Sequence, residues 1–370
     1  MVAVDTGKDS KWTVEVSIGE LAELATSAGA EVVGKLIQRL PVPNKIHYLG
    51  KGKLEELLSL KDSLKYDLVI FDDELSPLQQ VTLEESLQVK VIDRVALILD
   101  IFARRARTHE GQLQVELAQY QYLLPRLAGK WRHLERLGAG IGTRGPGESQ
   151  LETDRRLIRR RIDRLKERTE SVRKQRMLYR EKRRKSGIPI VALVGYTNAG
   201  KSTIFNALSR ADVLARDELF STLDPTTRRL TLPDKRVVLL TDTVGFIKKL
   251  PPTIVTAFRA TLEELSQASL LIHVVDLTSP HAAEQCDIVE DILVDLNLAA
   301  KPRITALNKI DLLLNSNQRW DEEKALDYVA GRCEAIEPNT VVVSATKKWG
   351  LGKLLELISQ VLAETVQLAV

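Results

Sequence analysis

The stretch from Ile188 to Arg210 limits the possible folds of this chain more than any other. An apolar, β-rich run, IPIVALV, ends in GYTNAGKS and continues as TIFNALSR. It reads as strand, glycine loop and amphipathic helix, the setting a phosphate-binding P-loop requires. Gly195 and Gly200 let the backbone wrap phosphates with its N–H groups, and the helix N-terminus adds the positive end of its dipole. Lys201 is placed to reach β- and γ-phosphates, and the Ser202 hydroxyl is an oxygen ligand suited to Mg²⁺.

A P-loop alone does not choose between adenine and guanine. That choice rests on Asn308-Lys309-Ile310-Asp311, directly after the apolar run ITAL. The Asp311 carboxylate can accept from both N1–H and the 2-amino group of guanine, whereas adenine would leave it facing an unprotonated ring nitrogen. Asn308 is expected to tie the loops together, the Lys309 stem to cover a base face, and a backbone N–H of Ser344-Ala345-Thr346, after the run TVVV, to meet guanine O6. Asp242-Thr243-Val244-Gly245 follows VVLLT as a second switch: Asp242 would hold Mg²⁺ through water and the Gly245 N–H would sense the γ-phosphate. The first switch must lie between these segments, in LFSTLDPTTRR, with Ser221, Thr222, Thr226 and Thr227 as candidate hydroxyls. Thr222 is chosen as the second Mg²⁺ ligand, although Asp224-Pro225-Thr226-Thr227 also reads as a turn.

The nucleotide is therefore expected to touch Gly195, Tyr196, Thr197, Asn198, Ala199, Gly200, Lys201, Ser202 and Thr203, then Phe220, Ser221, Thr222, Leu223 and Asp224, with the base and second-switch segments completing the site. Lys201, Thr222 and Gly245 are the expected catalytic groups, and Ser202, Thr222 and Asp242 the metal ligands. Phe246 stands where many Ras-like GTPases carry the glutamine that orients the attacking water, so slow intrinsic hydrolysis is expected. Related GTPases with a hydrophobic residue there use a P-loop asparagine to hold K⁺, which makes Asn198 a candidate K⁺ ligand.

At 370 residues the chain is long enough for two or three domains. Two cysteines, Cys286 and Cys333, favour a reducing compartment over a disulfide framework, and His273 and His281 show no metal-ligand spacing. No apolar run approaches a membrane span and the N-terminus lacks a signal-peptide core, so a cytoplasmic protein is expected. Leu151 to Lys185 holds sixteen Lys or Arg against six Asp or Glu, a net of +10, within a chain whose total is only +4. Such a stripe is a solvated helix face or the footprint of a polyanion such as RNA.

Three regions follow. Residues 1–106 alternate strand-like EVVGKLI, YDLVIF and VKVID with helical patterns, an α/β domain with a parallel sheet. Tyr48 to Lys53, YLGKGK, resembles a phosphate loop but reads better as a turn that starts a helix. Residues 107–187 carry a heptad seam, Leu113, Leu117, Tyr120, Leu124, Leu127, Trp131 and Leu134. A second helix, starting near Ser149 or Thr153, would face it with Ile158, Ile162, Leu165 and Val172, giving an antiparallel helical hairpin with a kink at Pro125. Its connection, LGAGIGTRGPGES, has Gly138, Gly140, Gly142, Gly145 and Gly147 and reads as an RNA-facing tip or as a flexible connector. Residues 188–370 form the P-loop GTPase domain, α/β with a mostly parallel sheet.

VIDRVALILDIFARRARTHEGQLQVELAQ at 91–119, GIGTRGPGESQLETDRR at 140–156, GYTNAGKST, FSTLDPTTR and DTVGFI together resemble the HflX GTPases of the translation-factor-related class. The resemblance runs almost end to end, departing at Ser149 and Pro125. It implies a GTPase, converting GTP to GDP and phosphate, that binds the 50S ribosomal subunit, is stimulated by it, and splits 70S ribosomes under stress; a monomer is expected. The hairpin and its glycine loop would then meet 23S rRNA. The alternative is a GTP-dependent checkpoint factor for large-subunit assembly without splitting activity.

Overall fold

The computed structural model describes residues 1–7, 13–130, 146–185, 187–209, 219–220, 223–249, 264–314, 318–331 and 337–367. The chain divides into two compact units, Met1–Arg173 with Lys249–Ala257, and Lys174–Lys248 with Phe258–Val370.

The first unit opens on a four-stranded parallel sheet, ordered β2-β1-β3-β4, from β1 (Val2–Asp5), β2 (Leu36–Arg39), β3 (Leu68–Phe71) and β4 (Lys90–Asp93). The expected parallel α/β sheet is present, but two strands differ from the sequence reading. Val2–Asp5, absent from the expected strand-like runs, is an inner strand with Val2 and Ala3 fully buried. In EVVGKLI only the last two residues enter a strand, which continues to Arg39. Helices α1 (Val14–Ser27), α2 (Lys51–Leu64), α3 (Pro77–Leu87) and α4 (Arg94–Arg105) surround this sheet. Leu54 and Leu57 of α2 and Leu83 and Leu87 of α3 pack with Val2, Val69, Phe71 and Val91 of the strands. Gly50 caps α2, so YLGKGK is a turn entering a helix, and Ser76 with Gln79 closes a capping box on α3.

Among the described residues of the first unit, the buried charges Glu20, Asp72, Asp93, Arg94 and Arg126 are paired. Arg94 donates to Asp72 and Glu20 and to the Ser17 carbonyl. Burial alone would lower the Arg94 pKa, but the two carboxylates hold it above the usual range. Asp93 ends β4 and caps α4 through Ala96 N–H, while accepting from Leu75 N–H, Tyr122 Oη and Arg126. A single buried carboxylate thus joins the segment leading into α3, the start of α4 and the next helix.

That helix, α5 (His109–Lys130), runs with Pro125 inside it. Its partner α6 spans Pro146–Lys185 and starts before the expected Ser149 or Thr153. Proline suits the first helical position, where its missing N–H needs no partner. Leu113 and Leu117 meet Ile162 and Leu165, with Tyr120, Leu124, Ile158 and Val172 packed around them. Glu116 pairs with Arg161, and His109 lies against Arg168 further back along α5, so the two helices are antiparallel. Trp131, Leu134 and most of the glycine connection lie outside the described residues.

In the second unit the sheet order is β10-β9-β8-β5-β7-β6. Its strands are β5 (Ile190–Gly195), β6 (Thr226–Thr231), β7 (Val237–Asp242), β8 (Leu270–Asp276), β9 (Arg303–Asn308) and β10 (Thr340–Val342). All neighbours are parallel except β6, which runs antiparallel to β7. Parallel strands covered on both faces read as apolar runs. Val191, Leu193, Ile272, Val274 and Ile304 accordingly form the core with Phe205 of α7 (Lys201–Ser209) and Leu354 and Ile358 of α10 (Leu351–Gln367). Helices α8 (Ala282–Asp295) and α9 (Glu322–Ala330) follow β8 and β9 in the chain. The strand β6 is a finding beyond the sequence reading. It takes up Thr226 and Thr227, and Thr227 Oγ1 lies 3.0 Å from Thr241 Oγ1.

Candidate functional site

The C-terminal ends of parallel strands are where open α/β sheets place ligands. Here β5 ends at Gly195, β7 at Asp242, β8 at Asp276 and β9 at Asn308, while Ser344 follows β10. The sheet therefore brings the separate sequence segments to one edge.

Gly195 leads into the P-loop and Lys201 begins α7. The Lys201 ammonium is buried and donates to the Tyr196 carbonyl at 2.7 Å and the Gly195 carbonyl at 3.1 Å. Desolvation pulls its pKa down from 10.5 to about 8, against the opposing pull of Asp242. The Ser202 hydroxyl donates to Asp242 Oδ2 at 2.7 Å, both residues being buried. A hydroxyl beside a carboxylate is a pair of hard oxygen donors, which fits Mg²⁺ and not a soft metal. Among the described residues, no group of three or more His, Cys, Asp or Glu gathers as a further metal cluster. Thr222 and Ser221 lie outside the described residues. Leu223 is buried, and Phe220 is buried beside the P-loop with its N–H donating to Thr197 Oγ1 at 3.1 Å.

At the other end of the site, Asn308 binds two loops at once. Its Nδ2 donates to the Ala199 carbonyl at 3.0 Å and its Oδ1 accepts from Ala345 N–H at 3.1 Å. Gly200, at φ +94, passes so close that a side chain there would collide with Asn308 Nδ2. Ile310 is buried beneath the loop, and Asp311, only half-buried, accepts from the Ser344 hydroxyl at 2.7 Å. Ser344 pairs with Trp349 to close a turn that contains Ala345 and Thr346. Lys309 has φ +69 and its ammonium lies 2.8 Å from Asp276 Oδ2, which steers the lysine stem. Sequence reasoning missed Asp276, although an acid closing LLIHVVD, as Asp242 closes VVLLTD, was a signal in plain view.

Asn198 is half-buried at φ +60 in the P-loop. Phe246 is buried and forms a bridge with Tyr196. His273, inside β8, is lowered from 6.5 to about 4, chiefly by desolvation and then by Arg303, so it stands neutral in the core.

A buried central strand, a P-loop closed by Asn308, and an Asp311 set beside Ser344 define a P-loop GTPase. Three family profiles match in succession: GTP-binding GTPase N-terminal over residues 15–103, GTP-binding GTPase Middle Region over 105–183, and 50S ribosome-binding GTPase over 190–309. GTPase HflX of Caldanaerobacter subterraneus subsp. tengcongensis is 52% identical over 348 residues, 94% of this chain and 77% of that protein. GTPase HflX of Escherichia coli K12 is 44% identical over 347 residues, 94% and 79% of the two chains. The chain belongs to the HflX GTPase family. The crystal structure of SsGBP with GDP matches with a TM-score of 0.50 and 26% identity, covering 100% of this chain and 98% of that one.

Proposed function

We propose that the chain is a GTP-hydrolysing, ribosome-associated factor that binds the 50S subunit and splits 70S ribosomes under stress, acting in the cytoplasm as a monomer. The observation that carries the reading is the two-faced helix α6. Ile162 and Leu165 are buried in the helix pair, while Arg156, Arg159, Arg160, Arg164, Lys166, Arg168 and Lys174 are exposed. A cationic face of this density is the chemistry that draws a polyphosphate backbone. It stands in a chain whose GTPase region matches a family described as 50S ribosome-binding. The division into residues 1–106, 107–187 and 188–370 follows as N-terminal α/β domain, RNA-facing hairpin and GTPase.

At the nucleotide, Lys201 neutralises the β- and γ-phosphates, the Gly245 N–H senses the γ-phosphate, and Asp311 with the Ser344–Thr346 turn reads guanine. Ser202, Asp242 and Thr222 would hold Mg²⁺, which when bound neutralises charge on the transferring phosphoryl group. Asn198 is the residue offered to K⁺. With Phe246 in place of a water-orienting amide, this chain's own residues bind and orient, and fast turnover requires the ribosome.

GTP turnover measured with and without purified 50S subunits, in KCl and in NaCl, tests the reading. Stimulation of the wild type, abolished in a variant lacking Gly138 to Gly147, is expected, together with free subunits when 70S is sedimented with protein and a β,γ-imido GTP analogue. Absence of stimulation would sink the ribosome-gated reading, unchanged 70S would leave the assembly-checkpoint role, and equal rates in the two salts would remove K⁺.

A further inference from the structure

Two P-loop residues whose side chains are not required to wrap phosphate make a second set of contacts. Thr197 N–H donates to the Phe246 carbonyl at 2.7 Å, and Phe246 N–H donates to the Gly195 carbonyl at 3.1 Å, a short ladder between the P-loop and the segment after Gly245. Tyr196 Oη accepts from Lys248 N–H at 3.1 Å, extending that ladder by a side chain. Thr197 Oγ1 accepts from Phe220 N–H at 3.1 Å, so one threonine holds residues from both switch regions. Tyr196, Thr197, Phe220 and Phe246 are all buried, which raises the worth of each hydrogen bond.

The ladder closes where the γ-phosphate must act. A Cβ added to Gly245 would lie 2.7 Å from Thr197 Cα and 3.0 Å from Lys201 Nζ, so Gly245 rests directly against the lysine head. A γ-phosphate bound by Lys201 and contacted by the Gly245 N–H needs those two groups apart. Separating them strains or breaks the bonds from Phe246 and Lys248 to the P-loop. GDP makes no such demand.

We propose that Tyr196 and Thr197 are positioning residues that latch the second switch, and Phe220 of the first, onto the P-loop, and so set the discrimination between GTP and GDP. The latch rests on the guanine-nucleotide reading of this site and deepens it. A ligand shifts an equilibrium only by its differential affinity for the two arrangements. Removing a side-chain acceptor weakens the latched arrangement, and therefore shifts the ratio of the two affinities toward GTP.

The test is calorimetric titration of GDP and of a β,γ-imido GTP analogue, with Mg²⁺, into the full-length wild type, Tyr196→Phe and Thr197→Val. Each variant deletes one acceptor and keeps the side-chain volume. Each is expected to bind the GTP analogue about three- to tenfold tighter relative to GDP, the worth of one net hydrogen bond. Thr197→Ser, which restores the hydroxyl, is expected to return to the wild-type ratio, a rescue that a merely structural role would not produce. Wild-type ratios in both deletion variants, or equal shifts for the two nucleotides, would overturn the latch. A wild type that binds neither guanine nucleotide would instead overturn the site reading beneath it.

Discussion

The ammonium of Lys201 faces two carbonyls in a buried loop, and desolvation pulls it to about 8 from an ordinary 10.5. Between these values the folded protein binds fewer protons than the unfolded chain, so this residue makes stability rise with pH across the window from 8 to 10.5. Triphosphate beside the ammonium reverses the balance by favouring the charged form. GTP affinity should therefore fall as pH climbs past about 8, by up to about tenfold per unit, and binding should take up close to one proton near about pH 9 and almost none at about pH 7. Titration in two buffers of different ionisation enthalpy measures the uptake directly. A Lys201→Met variant with the same uptake would place the titrating group elsewhere. The identity of this lysine was legible because GxxxxGK[ST] follows a strand and opens a helix. Its environment was not, because the carbonyls that surround it belong to loop geometry that no spacing encodes. Asn308 and Asp311 were likewise readable as base-site residues and Asp276 as an acid closing a strand, whereas the pairing of Asp276 with Lys309 required β8 and β9 side by side.

Elements were legible in proportion to their periodicity. The α5–α6 seam could be read because apolar residues at alternating spacings of four and three mark one helix face, and Leu113, Leu117, Ile162 and Leu165 form its core. β1 escaped notice because a buried parallel strand has no alternation and Val2–Asp5 is only four residues long. β6 was hidden by its composition: TTRRLT carries two adjacent arginines on an antiparallel edge strand, where charge is tolerated. These differences make the helix pair the better place for an element-scale measurement. Leu165 is fully buried, so Leu165→Ala should cost about 2–5 kcal/mol through lost transfer energy and the cavity left behind. Leu157, on the same helix but 55% exposed, should cost under about 0.5 kcal/mol when cut to alanine. Urea unfolding followed by helical circular dichroism compares the two. Equal costs would mean that the seam contributes little to the pair.

Across the whole molecule, charge is unevenly placed. Leu151 to Lys185 carries +10, so the rest of the chain is −6 against a total of +4. Sequence alone gives that imbalance but not which cations are available to a partner, since a helix of mixed charge pairs some of its residues internally. The structure separates them: Arg161 pairs with Glu116 and Arg173 with Glu170, while Arg159, Arg160 and Arg164 are exposed on the helix surface. If α6 meets ribosomal RNA through phosphate neutralisation, the logarithm of 50S affinity should fall linearly with the logarithm of salt concentration. Exchanging Arg159, Arg160 and Arg164 together for glutamine should weaken binding and flatten that line by about 0.7–0.9 for each phosphate no longer neutralised. Arg161→Gln should flatten it less, because that guanidinium already answers to a carboxylate. Affinity for GTP without ribosomes should be unchanged in all of these variants, since none touches the P-loop, Asp242 or Asp311. Binding of 50S by the triple variant with the wild-type salt slope would show that another surface carries the RNA interaction.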